Sequence, residues 1–393
     1  MTRRARRRLV HVTTTDMSLA LLLGPQLRAF VAAGYDVVGV SAPGPHVREL
    51  ERWGITHYPL RHATRSFAPH RDAGAIVELR GLLRDLRPDI VHTHNPKPGV
   101  YGRLAARWAG VPVVVNTVHG LYAQPSDHWS KRSVVYGLER VAARCSDAEL
   151  VQSPEDLEVL TRLGIPKRKL TLLGNGIDLA RFDRSRIDPG RVATLRTELG
   201  AGPDDVVCGV VGRLVWEKGY REVFDAAARL RHRAPHVRVV VVGPVDSDKA
   251  DAITTREMDD ASERAGVRFL GFRDDVEELY AAMDVYALAS YREGYPRSAM
   301  EAAAMGVPIV ATDIRGCRQV VAAGATGILV PVRNPAALAT AIAELADDQP
   351  RRQKMGKAAR ERAQREFDQQ RVIDLTLSVY HRLSTSRPPV PAA

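Results

Sequence analysis

Short runs of apolar, often β-branched residues alternate along this chain with longer segments of helical periodicity. LVHVTTT and YDVVGVSA predict two buried strands around a helix at residues 19–33. DIVHTH, the turn NPKPG, the helix VYGRLAARWAG and the strand VPVVVNTVHG follow. Strands that alternate with helices are typical of βαβ units, so the pattern predicts an α/β fold with parallel sheets.

The alternation stops in a polar stretch at residues 178–205 and then restarts with strands such as VVCGVVG, VRVVVVG, VRFLGF and VYALAS. We predict a Rossmann-like N-terminal domain over residues 1–182 and a second one over residues 183–365, with the polar stretch as linker and lead-in. Ligands of such sheets lie beyond the carboxyl ends of the strands, so we expect one in a cleft between the domains. Residues 366–385 predict an amphipathic helix that packs back toward the N-terminal domain, and residues 386–393 a disordered tail.

Length, composition and apolar run length add four constraints. The 393 residues exceed the size at which single cores stop growing, which favours two domains. Three widely spaced cysteines without a CxxC pair predict neither a zinc site nor a disulfide framework, as in a reducing cytosol. The formal charge of +11 implies an anionic partner, such as a nucleotide, a nucleic acid or an acidic membrane leaflet. No apolar run approaches the roughly 20 residues that span a bilayer, so we expect a cytoplasmic protein that contacts membranes only peripherally.

Two cations follow a predicted strand in VVGRLVWEKGY. The strand ends at Gly212, and Arg213 and Lys218 come before the next helix. Fixed cations beside a helix N-terminus suit a diphosphate, although a solvated basic loop is the alternative. Neither Ser nor Thr follows the lysine, so this is no Walker loop, and the absence of GxGxxG argues against a dinucleotide oxidoreductase.

Glu293 and Glu301 flank a Gly-Tyr-Pro turn. The pattern predicts a helix from about Pro296 to Met305, with Gly306 as its stop. The backbone amides of the first helical turn form an anion site. A single carboxylate near a helix N-terminus needs no function, because it interacts favourably with the helix dipole. Because two carboxylates would repel a diphosphate, we interpret them as acceptors for the hydroxyls at the neutral ends of a nucleotide sugar.

Four motifs resemble those of retaining glycosyltransferases of family four. In chain order they are PDIVHTHNPKPGVYGRLAAR with VNTVHG, then GNGIDLARF, GRLVWEKG and EGYPRSAME, and together they extend along nearly the whole chain. The resemblance implies the GT-B fold, with two Rossmann-like domains facing across a cleft. It also implies that a sugar moves from a nucleotide-diphosphate sugar to a glycan or lipid-linked acceptor. No metal cofactor is implied, because side-chain cations neutralise the leaving diphosphate.

The resemblance also gives roles to matching positions. Glu301 would bind the ribose hydroxyls and Glu293 those of the donor sugar. Arg213 and Lys218 would neutralise the diphosphate, and His119 would hydrogen-bond the donor sugar near the reacting carbon. Further donor contacts are implied at Gly212, Phe272, Gly294, Tyr295, Pro296 and Arg297, with the base near residues 270–272 and Arg273 as a weaker alternative.

The first domain is less informative. His92 is typical of a structural histidine, and the family's glycine-rich N-terminal loop is replaced here by TTTDMSLALLLG. Donor contacts therefore do not carry over to residues 13–18. Five residues near predicted strand ends are candidates for acceptor binding: Thr15, Asp16, His94, Asn95 and Lys97.

Several alternatives stay open at this point. Asp246 and Asp248 have the spacing of a metal-binding Asp-x-Asp motif, but we favour a polar loop, because the rest of the chain contradicts a single-domain metal-dependent enzyme. A nucleotide-sugar 2-epimerase on the same fold, a glycoside hydrolase with two acids about 5 Å apart, and a nucleic-acid-binding protein are the competing functions. The absence of nucleic-acid-binding motifs argues against the last, and the basic loop with two Rossmann-like halves against the hydrolase.

The expected reaction is metal-independent transfer with retention, from a donor that we take to be a UDP-hexose or UDP-N-acetylhexosamine. The basic N-terminus and the SLALLLG segment suit a polyprenyl-diphosphate-linked acceptor at the anionic inner face of a membrane. The sequence thus predicts a step in polysaccharide or cell-envelope glycan biosynthesis, with no nucleic-acid partner.

Overall fold

The computed structural model describes residues 6–64, 68–123, 127–246, 249 and 251–385. Contacts divide the chain into two compact units, Met1–Gly174 with Gln370–Ala393, and Asn175–Gln369. The boundary lies at Gly174 rather than at the predicted residue 182, because Ile177 and Phe182 are buried in the core of the second unit. The predicted tail at residues 386–393 lies outside the described residues.

The first unit is built on a seven-stranded parallel sheet with the order β3-β2-β1-β4-β5-β6-β7. Alternate residues of its strands enter two different cores, Leu9 on one face and Val10 on the other, so both faces are covered. This explains why the strands appear as nearly continuous apolar runs. The strands are β1 (Arg8–Thr15), β2 (Asp36–Ala42), β3 (Thr56–Pro59), β4 (Ile90–His94), β5 (Val113–Val118), β6 (Ala148–Val151) and β7 (Leu170–Leu172).

The helices of this unit follow the predicted order but not all the predicted bounds. The predicted helix at residues 19–33 is wrong in one respect, because a π-helical turn, Ser18–Leu22, precedes a separate helix that starts at Gly24 with a proline in its first turn. NPKPG was predicted as a turn, but the helix already begins at Pro96, since first-turn residues need no intrahelical N–H bond. The helices are α1 (Gly24–Ala32), α2 (Val47–Arg52), α3 (Pro69–Leu86), α4 (Pro96–Trp108), α5 (Trp129–Ala142) and α6 (Pro154–Arg162).

The second unit has a six-stranded parallel sheet with the order β10-β9-β8-β11-β12-β13. Val207 and Val206 of its central strand again enter separate cores on the two faces. The predicted strand VRFLGF shortens to two residues at the edge of the sheet. The strands are β8 (Val206–Val211), β9 (Val237–Val242), β10 (Arg268–Phe269), β11 (Val285–Leu288), β12 (Ile309–Thr312) and β13 (Gly327–Val330).

The polar stretch at residues 178–205 is not a linker. It contains a helix whose Leu195 is fully buried, followed by Leu199 in the same core, so two apolar anchors hold a mostly polar segment to the second unit. The helices here are α7 (Pro189–Glu198), α8 (Tyr220–Arg233), α9 (Thr255–Ala265), α10 (Val276–Ala282), α11 (Arg297–Ala304), α12 (Arg315–Val320), α13 (Pro335–Asp347) and α14 (Gln349–Glu366).

The final helix, α15 (Gln369–Thr385), belongs with the first unit. Its Val372, Ile373 and Tyr380 are buried in the same core as β1 and α1. None of the helices in the described part of the chain combines the length and hydrophobicity that a bilayer crossing requires.

Candidate active site

The loop after β8 carries the two predicted cations, and a glycine fixes its shape. The chain leaves β8 at Val211, makes a 3₁₀ turn at Trp216–Lys218 and enters α8 through Gly219, whose φ is 75°. A Cβ at Gly219 would lie 2.0 Å from the carbonyl oxygen of Ala289, so only glycine fits there. The loop with Lys218 is therefore held against the residue that follows β11.

Lys218 and Glu293 are brought together directly. The Lys218 Nζ lies 2.6 Å from Glu293 Oε1, and Ser290 Oγ donates to the same oxygen at 2.7 Å. Both side chains are mostly buried, at 23% and 12% exposure, so this ion pair is less screened than a surface pair. The pairing holds the ammonium at the end of the β11 loop, next to the residues that lead into α11.

Arg213 is also ion-paired. Its guanidinium contacts Asp246 Oδ2, and a second nitrogen lies 3.8 Å from Glu217 Oε1. Asp246 is the first acid of the suspected Asp-x-Asp motif, and its buried carboxylate holds an arginine. The second acid, Asp248, lies outside the described residues.

Glu301 lies on α11, about one turn from its start. The Tyr280 hydroxyl donates to Glu301 Oε2 at 3.1 Å, and burial raises the pKa of this carboxyl, while Arg297 and the Tyr280 hydrogen bond act to lower it. The side chain stays partly exposed. One oxygen is thus oriented by tyrosine, and the remaining lone pairs can accept further hydrogen bonds.

Sequence reasoning missed the hydroxyls beneath this site. Tyr286 donates to Ser298 Oγ at 2.7 Å, and the Tyr220 hydroxyl donates to the Gly212 carbonyl at 2.9 Å. Tyr220, Tyr280 and Tyr286 are fully buried, so their rings serve the core while their hydroxyls fix α11 and the β8 loop. In the sequence they look like ordinary core aromatics, and no spacing distinguishes them.

The remaining predicted donor residues are placed by the start of α11. Pro296 is buried and caps the helix with ψ of 111° instead of occupying its first turn, and Asn175 Nδ2 donates to the Tyr295 carbonyl at 3.3 Å. Phe272, by contrast, is 67% exposed. Arg273 forms a two-bond ion pair with Asp275, so its guanidinium is already engaged.

Gly316 of α12 lies directly against the backbone of Glu293. A Cβ at Gly316 would meet the Glu293 carbonyl oxygen at 2.5 Å, a distance that real Cβ contacts do not reach. Gly316→Ala is therefore expected to displace Glu293 and to lower kcat/KM about tenfold or more for the glycosyl transfer that the resemblance implies. Steady-state kinetics measure this loss. Gly81→Ala, an exposed helix position with open space around it, is the matched control, and equal activity of both variants would contradict the prediction.

Four histidines lie on one face of the first sheet. His11 Nδ1 is 3.0 Å from His94 Nε2, and His94 Nδ1 is 3.1 Å from His119 Nε2, which makes a row of three rings. His92 lies beside the row, with its ring centroid 4.1 Å from that of His94, and its nitrogens contact Tyr380 and Thr117 hydroxyls. Burial lowers the pKa of His11 to about 3 and that of His119 to about 4, so the row is neutral at pH 7.

His11, His92 and His94 also lie close enough to hold a metal ion, with ring nitrogens within 4.8 Å of one another. However, both nitrogens of His92 and both nitrogens of His94 already face hydrogen-bond partners. Among these three rings, His11 Nε2 is the one nitrogen without a hydrogen-bond partner in the described part of the chain, so a metal ion would have to displace existing bonds at His92 and His94.

The five candidate acceptor residues remain a prediction, and the structure shows which partners each one already has. His94 is fully buried, and its ring nitrogens face two histidines, so it has no atom left for an acceptor. Lys97 forms an ion pair with Asp72 at 2.6 Å. The others also have local bonds: Asp16 accepts from the His46 amide, Asn95 from the Thr14 amide, and Thr15 Oγ1 lies 3.3 Å from Ser18 Oγ.

Comparison with known proteins decides the family. The family Glycosyltransferase Family 4 matches residues 26–181, and Glycosyl transferases group 1 matches residues 192–362. The chain is 31% identical over 288 residues to the UDP-Gal:alpha-D-GlcNAc-diphosphoundecaprenol alpha-1,3-galactosyltransferase of Escherichia coli, covering 72% of this chain and 73% of that protein. The chain belongs to glycosyltransferase family 4. Its predicted activity as a glycosyltransferase of polysaccharide biosynthesis is thereby confirmed.

Other comparisons agree with this family 4 assignment. The N,N'-diacetylbacillosaminyl-diphospho-undecaprenol alpha-1,3-N-acetylgalactosaminyltransferase of Campylobacter jejuni is 26% identical over 364 residues, or 91% of this chain and 94% of that protein. The structure of HepE from Anabaena in complex with UDP and glucose superposes with a TM-score of 0.78 at 21% identity, covering 96% of this chain and 100% of that one. The predicted GT-B fold of this family 4 glycosyltransferase, with two Rossmann-like units, is confirmed.

Proposed function

We propose that this glycosyltransferase transfers a hexose or N-acetylhexosamine from a UDP-sugar to a polyprenyl-diphosphate-linked glycan, with retention and without a metal cofactor. The observation that carries this proposal is the arrangement at the start of α11. Lys218 is held at 2.6 Å from Glu293, and Glu301 lies one turn inside with Tyr280 on its carboxylate. A cation thus lies beside Glu293, and Glu301 follows on the same short segment, so both carboxylates are available to accept sugar hydroxyls.

The arrangement suits departure of a diphosphate. As the anomeric C–O bond breaks, negative charge develops on the leaving phosphate, and Lys218, Arg213 and the amides of the α11 N-terminus stabilise it. Side-chain cations supply the charge that a divalent metal would otherwise provide. The acceptor hydroxyl then attacks the oxocarbenium-like carbon from the face that the diphosphate leaves, and a leaving phosphate oxygen takes the hydroxyl proton.

The relatives support the choice of donor and acceptor. The Escherichia coli enzyme is named for UDP-Gal and a diphosphoundecaprenol-linked acceptor, and the Campylobacter jejuni enzyme for a diphospho-undecaprenol-linked acceptor. Such an acceptor lies in a membrane, so the protein must reach an anionic lipid surface.

The exposed face of α5 supports contact with such a surface. Val134, Leu138 and Val141 follow the i, i+4, i+7 spacing of one helix face and are 49–62% exposed, and Trp129 at the helix start is 71% exposed. Residues 129–144 carry four basic residues against a single acid, Glu139, whose carboxylate is bound by Arg103. An apolar stripe with basic flanks suits anionic lipids. In the SLALLLG segment predicted for this role, Leu19 and Leu23 are buried, whereas Leu21 is 55% exposed.

Replacing the three stripe residues with serine, Val134→Ser, Leu138→Ser and Val141→Ser, is expected to weaken binding to phosphatidylglycerol-containing vesicles about tenfold or more. Vesicle flotation at several salt concentrations measures this. Val77→Ser removes an equally exposed valine from α3 of the same unit and is the control. Flotation of the triple variant at the wild-type level would contradict a membrane role for α5.

The reaction itself is tested with a panel of UDP- and GDP-sugars and a polyprenyl-diphosphate-linked acceptor. We expect acceptor-dependent release of UDP and a product whose anomeric configuration, measured by NMR, matches that of the donor. Activity should persist in EDTA. An inverted product would refute retention, and loss of activity in EDTA would refute metal independence. Formation of an epimerised sugar from donor alone would indicate the 2-epimerase instead.

A further inference from the structure

The hydrogen bonds along the row His11–His94–His119 have a direction, because each ring can donate to only one of its neighbours. Each neutral imidazole has one N–H donor and one bare acceptor nitrogen, so a chain of neutral rings can run in only two directions. Either every ring donates toward His11, or every ring donates toward His119. The choice decides which nitrogen of His119 carries the proton.

Two observations select the direction toward His119. The first is that His11 Nε2 is fully buried and faces no hydrogen-bond partner among the described residues, while the His11 ring stacks on Phe30. A buried N–H group without an acceptor is rarer and costs more free energy than a buried acceptor nitrogen without a donor. His11 Nε2 is therefore the nitrogen without a proton. His11 therefore carries its proton on Nδ1 and donates to His94 Nε2.

The second observation comes from the other end of the row. The Gln152 side chain hydrogen-bonds His119, and its amide oxygen can accept a hydrogen bond from the ring. His119 Nε2 already faces His94 Nδ1 at 3.1 Å, which leaves Nδ1 as the donor. Both ends of the row thus point to donation from His11 through His94 to His119.

We propose that His11 and His94 are positioning residues, which hold His119 in the tautomer that accepts at Nε2 and donates from Nδ1 to a hydroxyl of the sugar substrate. That substrate contact rests on the proposed function and on the family resemblance of His119. His119 is the partly exposed member of the row, so a substrate oxygen can replace Gln152 as the acceptor of its proton. His11 and His94, both fully buried, touch no substrate and act only through His119.

The tautomers are measured directly by NMR of the full-length protein labelled with ¹⁵N-histidine, with His119→Gln used to assign the His119 signals. In the wild type we expect one tautomer for His119, protonated at Nδ1. In His11→Phe, which keeps a ring but removes the donor, we expect both tautomers and a fall in kcat of about tenfold at unchanged donor KM. His11→Asn restores an N–H near the position of Nδ1 and should recover most of both losses.

His57→Asn is the matched control, since His57 bonds Ser41 in the same unit but lies outside the row. A wild-type His119 protonated at Nε2, or a His11→Phe variant with an unchanged single tautomer, would overturn the proposal. So would a stoichiometric zinc ion bound in the purified protein, because the rings would then be ligands. The wild-type tautomer is measured without substrate, and His119→Gln serves only to assign the signals. A fixed tautomer without glycosyl transfer would therefore reject the proposed function alone.

Discussion

The Lys218→Gln variant is expected to lose about 10²–10³-fold in kcat, the cost of removing one preorganised group that stabilises transition-state charge. Glutamine keeps an N–H donor for Glu293 and Ser290 remains in place, so the loop should keep its shape while the positive charge is lost. Because the charge matters most when the diphosphate departs, KM for the donor should change much less than kcat. Steady-state kinetics with saturating acceptor separate the two parameters.

Lys357→Gln is the control for this experiment. It removes an exposed lysine from α14 of the same unit and should leave kcat within about twofold, as surface substitutions usually do. A Lys218→Gln enzyme that retained wild-type kcat but bound the donor weakly would assign Lys218 to ground-state binding. The leaving-group role would then be wrong.

The Glu301→Ala variant is expected to bind UDP about 10²-fold more weakly, because a carboxylate that accepts two ribose hydroxyls loses two charge-assisted hydrogen bonds. Isothermal titration calorimetry with UDP measures this. The sharper measurement uses 2′-deoxy-UDP in a double-mutant cycle. If Glu301 binds the 2′-hydroxyl, the substitution should cost less affinity for the deoxy ligand than for UDP. An equal loss of affinity for both ligands would show that Glu301 does not bind the 2′-hydroxyl.

The same carboxylate predicts a pH dependence. Burial raises the pKa of Glu301, so protonation begins at a higher pH than in an ordinary glutamate. The charged acceptor is present above this raised pKa, and UDP affinity should fall as the pH drops through it. Glu301→Gln should bind UDP weakly at every pH and lack this dependence, and a wild-type affinity constant across acidic pH would contradict the assignment.

The fold could be predicted because its signals are local. VVCGVVG and VRVVVVG are apolar on both faces, as buried parallel strands must be, and every strand named from the sequence is present. The strands β3, β6, β7 and β13 were not predicted. The errors occurred where tertiary packing overrides local pattern. The stretch at residues 178–205 is polar enough to resemble a linker, yet Leu195 anchors a helix there.

The candidate site contains charged residues that motifs indicate and neutral residues that the sequence analysis missed. Lys218 and Glu293 are 75 positions apart in the sequence but 2.6 Å apart in space, and their motifs predicted that they share a site. Tyr280 and His11 lie in segments that read as core, and their hydrogen bonds depend on strand register, such as His11 opposite His92. The register between two strands is set when the sheet assembles, so the sequence of one strand does not show which residue of its neighbour it will face.

The position of α15 has a consequence for the order in which the protein is made. Tyr380 and Val372 complete the core that contains β1 and α1, and Tyr380 contacts His92. During synthesis these residues leave the ribosome after the whole contiguous second unit, Asn175–Gln369, has emerged. The unit that begins the chain is therefore the last to be completed. Its apolar surface around Phe30 stays uncovered until the final helix has been made. We therefore expect the nascent N-terminal half to bind chaperones.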